Sequence, residues 1–329
     1  MSRLLTPRER LRESLAHREA DRVPFDLGSR SNAVEQEPYE RLKVYLGLSP
    51  VRNTDCFIRS HAVMDEEVLH RLRVDTRWVR KVPKSAWRHE GSSTVFVDAW
   101  GVPWVKGEGS FYFDLGDCPY RDTDPETLLE EPWSPLLASE DIEDMEREAQ
   151  ALWETTGYSV STDIIGAGLF ERAWYLRGFE EFAVDLLTEP EFCRGLLTKI
   201  LRRQIEAYDS LLDRMGPYID TVWITDDVAT QTSLLVSPDT YRDLIKPYQR
   251  ELLACITSRG TEVVFHSCGL IEPLLDDLLE IGVTITHPVQ PIEGGMDLRD
   301  LKRRYGKELV FWGAGVDTEL LQNGSEEQA

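Results

Sequence analysis

Two patterns of apolar and polar positions divide the chain near residue 150. From about residue 151 onward, short apolar runs alternate with longer segments in which apolar residues recur every three or four positions. Short apolar runs are typical of buried strands, and the longer spacing is typical of helices with one buried face. Residues 151–329 are therefore predicted to form regular strand–helix units.

The predicted strands of this region cover residues 158–164, 219–225, 262–266, 283–286 and 308–312. The predicted helices begin after Ser139 and then cover residues 171–187, 190–214, 238–259, 271–280 and 297–305. Strands that alternate with helices form right-handed units and a parallel sheet. A doubly wound sheet favours a glycine-rich phosphate loop after its first strand, and residues 28–31, which read GSRS, are not such a loop. We therefore expect a (β/α)8 TIM barrel of the α/β class.

The first 150 residues have a less regular pattern. A helix is predicted from Pro7 to about His17, because Thr6 and Glu9 have the spacing of a capping box. Short strands are expected at 23–27, 95–97, 102–104 and 111–113. We interpret this part as N-terminal helices and an insertion at the barrel mouth, within a single domain that spans residues 1–329.

The C-terminal end of the pattern predicts an incomplete barrel. After the strand at 308–312, only the start of a helix precedes residue 329. A closed barrel needs one more strand and helix. Either an early strand is miscounted or the barrel lacks its last strand–helix unit, which would leave a gap beside residues 308–312.

Charge and cysteine content narrow the functional classes. The chain has 37 basic and 59 acidic side chains, a formal net charge of −22, which argues against binding to nucleic acid or anionic membranes. No stretch has the length of a membrane span, and the first residues lack the apolar core of a signal peptide. The five cysteines are scattered and odd in number, so we expect a cytoplasmic protein without disulfides.

Polar side chains follow four successive predicted strands. In a parallel barrel the loops at the carboxyl ends of the strands form one bowl, where reactive groups lie. The bowl is predicted to contain Asp226 and Asp227, then His266 and Cys268, then His287 and Gln290, and finally Asp317.

His266 and Cys268 are the most specific pair among these residues. They are two positions apart at a strand end, so their side chains point to the same side. Imidazole nitrogen and thiolate sulfur are both good zinc ligands. The spacing alone is also compatible with a small buried cysteine and a hydrogen-bonded core histidine. Their place at the end of a strand favours a metal site.

The remaining polar residues have simpler alternative roles. Asp226 and Asp227 would bind substrate, ligate a metal or hold a proton, or else cap a turn. Asp317 is placed to cap the helix that starts at residue 318. His287 is equally compatible with a satisfied core histidine, and Gln290 with a loop hydrogen-bonder.

The order and spacing of many short motifs resemble those of the uroporphyrinogen decarboxylase superfamily, and specifically its corrinoid-dependent methyltransferase branch. The resemblance extends over almost the whole chain. Its motifs lie at residues 6–10, 21–24, 98–102, 176–180, 226–231, 237–238, 246–248, 266–269, 288–290 and 295–297.

The resemblance implies methyl transfer between a small O-, N- or S-methylated compound and a corrinoid (cobalamin) carried by a separate protein. Zinc would act as a Lewis acid on His266 and Cys268. The carboxylates Asp226 and Asp227 would be catalytic. The expected substrate contacts are Gln231, His287, Gln290 and Asp317.

Two features separate this chain from the decarboxylases of the superfamily. Their N-terminal loop carries two arginines that grip substrate carboxylates, whereas the matching loop here has only Arg30. They also lack the His-x-Cys pair. Coenzyme M methyltransferases of this branch take a third zinc ligand from a downstream cysteine, but no cysteine follows Cys268 here, so Asp227 is a candidate. The alternatives are a metal-free uroporphyrinogen decarboxylase and a small-molecule binder without activity.

Overall fold

The computed structural model describes residues 4–50, 61–81, 87–110, 112–290, 296–313, 320, 323–325 and 327. The helices are α1 (Pro7–Leu15), α2 (Gln36–Tyr45), α3 (Glu66–Arg71), α4 (Pro125–Glu130), α5 (Ser139–Thr155), α6 (Leu169–Arg177), α7 (Phe179–Thr188), α8 (Pro190–Met215), α9 (Pro238–Leu244), α10 (Lys246–Thr257), α11 (Leu275–Glu280) and α12 (Leu298–Tyr305). The strands are β1 (Thr76–Val79), β2 (Trp87–Glu90), β3 (Ser93–Val97), β4 (Pro103–Lys106), β5 (Asp114–Leu115), β6 (Ser159–Thr162), β7 (Thr221–Thr225), β8 (Glu262–His266), β9 (Ile285–His287) and β10 (Val310–Phe311).

The central sheet is parallel, with the strand order β1-β6-β7-β8-β9-β10. Its register places Thr225 opposite His266, and His266 opposite His287. The carboxyl ends of β7, β8 and β9 are therefore at the same height in the sheet. The residues that follow these three strands lie close together at that end of the sheet.

Alternate residues of the strands face two different cores. Val222 and Phe265 belong to the large core between the sheet and the outer helices. Trp223 and Val264 belong to a smaller inner cluster that also contains Trp312. Since side chains alternate along a strand, His266 lies on the same face of β8 as Val264. This face is the inside of the barrel.

The prediction of a strand at 23–27 is wrong, because this segment forms no ladder with the described strands. One backbone bond joins it to the sheet, from Asp75 N–H to Phe25 O (2.7 Å). The indoles of Trp78 and Trp312 both donate to Asp26, at 3.0 and 2.9 Å. Side-chain hydrogen bonds thus replace a ladder here.

β10 is the last described strand of the parallel sheet. Within the described residues, no strand pairs with its outer edge. Trp312, which follows β10, reaches from this edge to Asp26. We call the region between β10 and the segment 23–28, where the described residues form no ladder, the opening. The sequence led us to expect either a gap beside residues 308–312 or a miscounted early strand, and this choice stays a prediction.

The predicted insertion contains an antiparallel sheet with the order β2-β3-β4-β5. The strands expected at 95–97 and 102–104 correspond to β3 and β4. The third strand is shifted, since β5 lies at Asp114–Leu115, and residue 111 lies outside the described residues. An ion pair between Arg172 and Asp98 (2.8 Å) connects this sheet to α6.

Two predicted helices are divided in the structure. The helix at 171–187 breaks at Gly178, whose φ of 105° is rarely adopted by residues with a side chain. The helix at 238–259 breaks at Ile245, two residues before Pro247, which has no N–H for the helical ladder. Among the described helices, none combines the length and apolar character needed to cross a lipid bilayer.

Candidate metal and substrate site

Three potential metal ligands converge at the carboxyl ends of β7 and β8. Sγ of Cys268 lies 3.6 Å from Nε2 of His266, and this nitrogen lies 3.8 Å from Oδ1 of Asp227. The three donor atoms all lie within 4.8 Å of one another, and all three residues are half-buried. The chain thus places a carboxylate, an imidazole and a thiol around one point.

Backbone contacts hold the turns after β7, β8 and β9 together. The N–H of Cys268 donates to Oδ1 of Asp227 (2.7 Å), and that of Gly269 donates to Oε1 of Gln290 (2.9 Å). A Cβ on Gly269 would lie 2.4 Å from the carbonyl oxygen of Thr230, so only glycine fits this position. The donor atoms therefore rest on a closely packed backbone.

The spacing of the donors fits a zinc ion. A tetrahedral zinc with ligands at about 2.3 Å for sulfur and 2.0 Å for nitrogen separates those two atoms by about 3.5 Å. The observed separation is 3.6 Å. The nitrogen–oxygen separation of 3.8 Å is slightly longer than the same geometry gives, about 3.4 Å. Three protein ligands leave a fourth position for substrate or water.

His287 lies inside the barrel directly beside His266. The two Nδ1 atoms are 2.7 Å apart, the ring centroids are 4.9 Å apart, and the ring planes are inclined by 29°, so the rings meet edge to edge. Only 5% of His287 is exposed, and its ring packs against the indole of Trp223 at 4.7 Å. Burial lowers the pKa of His287 well below its ordinary value, and the neighbouring His266 lowers it further.

Asp226 faces away from this cluster, toward the start of α6. Its carboxylate accepts bonds from the backbone N–H of Phe170 (3.1 Å), that of Glu171 (3.0 Å) and Nε2 of Gln249 (2.8 Å). Burial raises its pKa to about 7, and Glu171 adds to the effect. These are the contacts of a helix cap, and the catalytic role expected for Asp226 stays a prediction.

Glu171 is a buried acid next to the site that the sequence analysis did not single out. It accepts bonds from the hydroxyls of Tyr175 (3.1 Å) and Thr225 (3.2 Å). Burial raises its pKa to about 7, and the charge of Asp227 raises it further. The spacing of Gly168 and Glu171 was the available signal, because Glu at the third position of a helix often caps it.

The other predicted residues lie at different depths. Gln231 is exposed on the loop after β7, and Gln290 is half-buried, bonded to Gly269. Asp317 lies outside the described residues. The roles of these residues as substrate contacts stay predictions.

Arg30, the arginine of the N-terminal loop, is bonded to backbone carbonyl groups. Its guanidinium donates to the carbonyl oxygens of Ile164 (3.3 Å) and Lys81 (3.0 Å). The backbone N–H of Arg30 donates to the carboxylate of Asp163 (2.9 Å). Arg30 thus connects the loop to the carboxyl ends of β1 and β6.

Comparison with known proteins agrees with this architecture. A methyltransferase from Methanosarcina mazei has the same fold, with a TM-score of 0.62 at 16% identity, over 94% of this chain and 83% of that chain. A 2,3-dimethylmalate lyase, a member of the PEP mutase/isocitrate lyase superfamily, covers 58% of this chain and 55% of its own at 14% identity. The TM-score of this comparison is 0.25. No curated protein matches the sequence.

The family model of uroporphyrinogen decarboxylase (URO-D) matches residues 165–329, half of the chain. The matched region contains α6 and all the strands from β7 to β10, and therefore the three converging donor side chains. The chain belongs to the uroporphyrinogen decarboxylase family.

Proposed function

We propose that this protein is a zinc-dependent methyltransferase. It would move a methyl group between a small methylated compound and a corrinoid (cobalamin) held by a separate protein. The observation that carries the proposal is the zinc-like spacing of the donor atoms of Asp227, His266 and Cys268. Family membership and the shared fold with a methyltransferase support it.

In this proposal His266, Cys268 and Asp227 hold the zinc. As a Lewis acid, the bound ion would polarise the oxygen, nitrogen or sulfur atom that carries or receives the methyl group. Cys268 and Asp227 supply negative charge to balance that of the cation. The backbone N–H of Cys268 orients the Asp227 carboxylate, since it donates to Oδ1.

A buried acid, Glu171, lies behind the proposed zinc site. Burial raises its pKa to about 7, and the charge of Asp227 raises it further. Asp227 is the half-buried member of this pair of acids, and it is the one that lies beside His266 and Cys268. The catalytic role that the sequence analysis expected for Asp226 and Asp227 stays part of this proposal, with Asp227 acting as a zinc ligand.

The second candidate is a metal-free uroporphyrinogen decarboxylase, which the matching family model favours. Arg30 argues against it, because its guanidinium is bonded to the carbonyl groups of Ile164 and Lys81. A carboxylate-rich substrate would have to displace these bonds. The cluster of three metal-ligand side chains has no evident use in such a reaction.

The test combines metal analysis with an assay of methyl transfer. The purified protein should contain about one zinc ion. Cys268→Ala and His266→Ala should both lose most of it, because each removes one ligand. Cys255→Ala, which removes a thiol of α10, is the matched control and should keep its zinc. Methyl transfer is followed by the absorbance change of cob(I)alamin, with methoxylated and methylamine donors offered in turn.

Two results would refute the proposal. One is zinc-free protein with undiminished methyl transfer. The other is decarboxylation of uroporphyrinogen without any dependence on metal, which would establish the second candidate instead.

A further inference from the structure

We propose that His287 is a positioning residue that sets the hydrogen on His266 so that Nε2 of His266 can bind a metal. This inference rests on the zinc site proposed above. In it, Nδ1 of His287 accepts a hydrogen bond from Nδ1–H of His266. His287 then acts through His266 rather than on the substrate.

The distance between the two rings requires one donor and one acceptor. The Nδ1 atoms are 2.7 Å apart, which is a hydrogen bond with a single hydrogen between them. If His266 donates, its Nε2 carries a lone pair. If His287 donates, His266 carries its hydrogen on Nε2. The direction of this one bond decides whether His266 can be a ligand.

Nε2 of His266 faces the other two potential ligands. It lies 3.6 Å from Sγ of Cys268 and 3.8 Å from Oδ1 of Asp227. A hydrogen on Nε2 would occupy the space where these three atoms converge. Metal ligation by His266 therefore needs an acceptor at Nδ1, and His287 is placed to be that acceptor. Histidine ligands generally donate their second ring N–H in this way.

The surroundings of His287 hold its ring in one orientation. The ring packs on Trp223 on one side, and its backbone carbonyl accepts the N–H of Ser267 (2.9 Å). A Cβ on Gly313 would lie 2.5 Å from Cδ2 of His287, so the chain after β10 passes directly against the ring. With 5% of the residue exposed, His287 is enclosed on all these sides. Such packing suits a fixed acceptor better than a substrate contact.

Two substitutions separate the hydrogen bond from the packing. His287→Phe keeps a ring of similar size but removes the acceptor, whereas His287→Asn places an amide oxygen near the position of Nδ1. Zinc affinity is measured by competition with a chromophoric chelator at constant pH. We expect zinc binding to weaken by about 10–100-fold in His287→Phe, the usual loss for such a partner. His287→Asn should restore most of the affinity.

His61→Phe is the matched control, since His61 is equally buried at 5% exposure and lies next to Glu35, outside the proposed site. It should leave zinc affinity unchanged. Unchanged affinity in His287→Phe, or an Asn variant as weak as the Phe variant, overturns the positioning role and leaves the zinc site standing. Absence of zinc binding in the unsubstituted protein overturns both.

A measurement on the unsubstituted protein decides the matter if the variants do not fold. Nitrogen-15 NMR of the zinc-bound protein should show His266 with its hydrogen on Nδ1 and its metal bond at Nε2. The opposite arrangement, or a hydrogen on Nδ1 of His287, overturns the inference.

Discussion

Charge balance at the donor cluster depends on two residues, Cys268 and Asp227. Of the three described donors, His266 is neutral as a ligand, so the negative charge that a divalent ion would meet comes from the other two. The carboxylate is held by the backbone N–H of Cys268 at 2.7 Å, which fixes it beside Nε2 of His266. Asp226, the preceding residue, is directed to the start of α6 instead.

Asp227→Asn should therefore weaken zinc binding strongly. Loss of an outer partner of a ligand costs about 10–100-fold, so loss of a charged ligand should cost at least about 100-fold. Competition with a chelator measures the change. Asp239→Asn is the control, because that side chain is 97% exposed at the start of α9. Equal affinity in Asp227→Asn and the unsubstituted protein would exclude Asp227 as a ligand.

For individual residues, the sequence predicts contacts within one strand better than contacts between different elements. The contact between His266 and Cys268 follows from their positions two residues apart at the end of a strand. The approach of Asp227 depends on the register of β7 and β8, which the sequence does not specify. Glu171 comes from α6, and only the three-dimensional packing brings it next to Asp227.

Among the elements, the start of α6 is tied most closely to the site. Asp226 accepts two backbone N–H groups of its first turn, where a negative charge is favoured by the helix dipole. A Cβ on Gly168 would lie 2.1 Å from Oδ1 of Asp226, so the helix approaches the end of β7 without any intervening side chain. Glu171, in the same turn, is enclosed by this contact.

The stability of this region should fall as the pH rises from about 5 to 8. The pKa of Glu171 is raised from its ordinary 4.5 to about 7 in the folded protein. Between these values the folded state binds more protons than the unfolded chain, so the free energy of unfolding decreases with rising pH. Glu171→Gln removes this contribution. Its stability relative to the unsubstituted protein should therefore be higher at pH 8 than at pH 5.5.

Urea unfolding at the two pH values measures the difference. Glu180→Gln, an exposed position of α7, is the control and should track the unsubstituted protein at both. A Glu171→Gln variant whose relative stability is the same at pH 5.5 and pH 8 would show that Glu171 titrates normally.

Helices and strands with a regular spacing of apolar residues were predicted well, but the positions at which helices are interrupted were not. The capping box at Thr6 and Glu9 and the bounds of β8 agree with the structure. The division between α6 and α7 was missed, because the apolar spacing continues through Gly178 and only its positive φ ends the helix. The segment 23–27 has the alternation of a strand, but hydrogen bonds to the side chain of Asp26 hold it in place of a ladder.

For the whole molecule, the opening beside β10 makes Asp26 a central residue. Its carboxyl group accepts bonds from Asn32 of the N-terminal loop, from Thr76 and Trp78 of β1 and from Trp312 after β10. β1 and β10 are the two edge strands of the parallel sheet. Desolvation raises the pKa of Asp26, and these four hydrogen bonds oppose the effect. The two sides of the opening are thus connected through one carboxylate.

Trp312→Phe should destabilise the protein by about 1–3 kcal/mol, because it removes a hydrogen-bond donor from the buried Asp26 carboxyl group. Trp133→Phe is the matched control. Its indole donates to the neutral hydroxyl of Tyr120 at 3.2 Å, and it also packs edge-on against another tryptophan. The decrease in the free energy of unfolding for Trp133→Phe should be roughly half of that for Trp312→Phe. Urea unfolding measures both, and equal losses would show that the bond to Asp26 adds nothing across the opening.

The bond between Trp312 and Asp26 also has a consequence for the order of events during protein synthesis. It joins residues that are 286 positions apart. At roughly 5–20 residues per second, the ribosome needs on the order of 15–60 seconds to make the intervening chain. Of the four described donors to Asp26, Asn32, Thr76 and Trp78 are made before this interval ends, and Trp312 is made last. Until β10 and Trp312 have been synthesised, the Asp26 carboxyl group therefore has to be hydrogen-bonded by water or by donors of the N-terminal part of the chain.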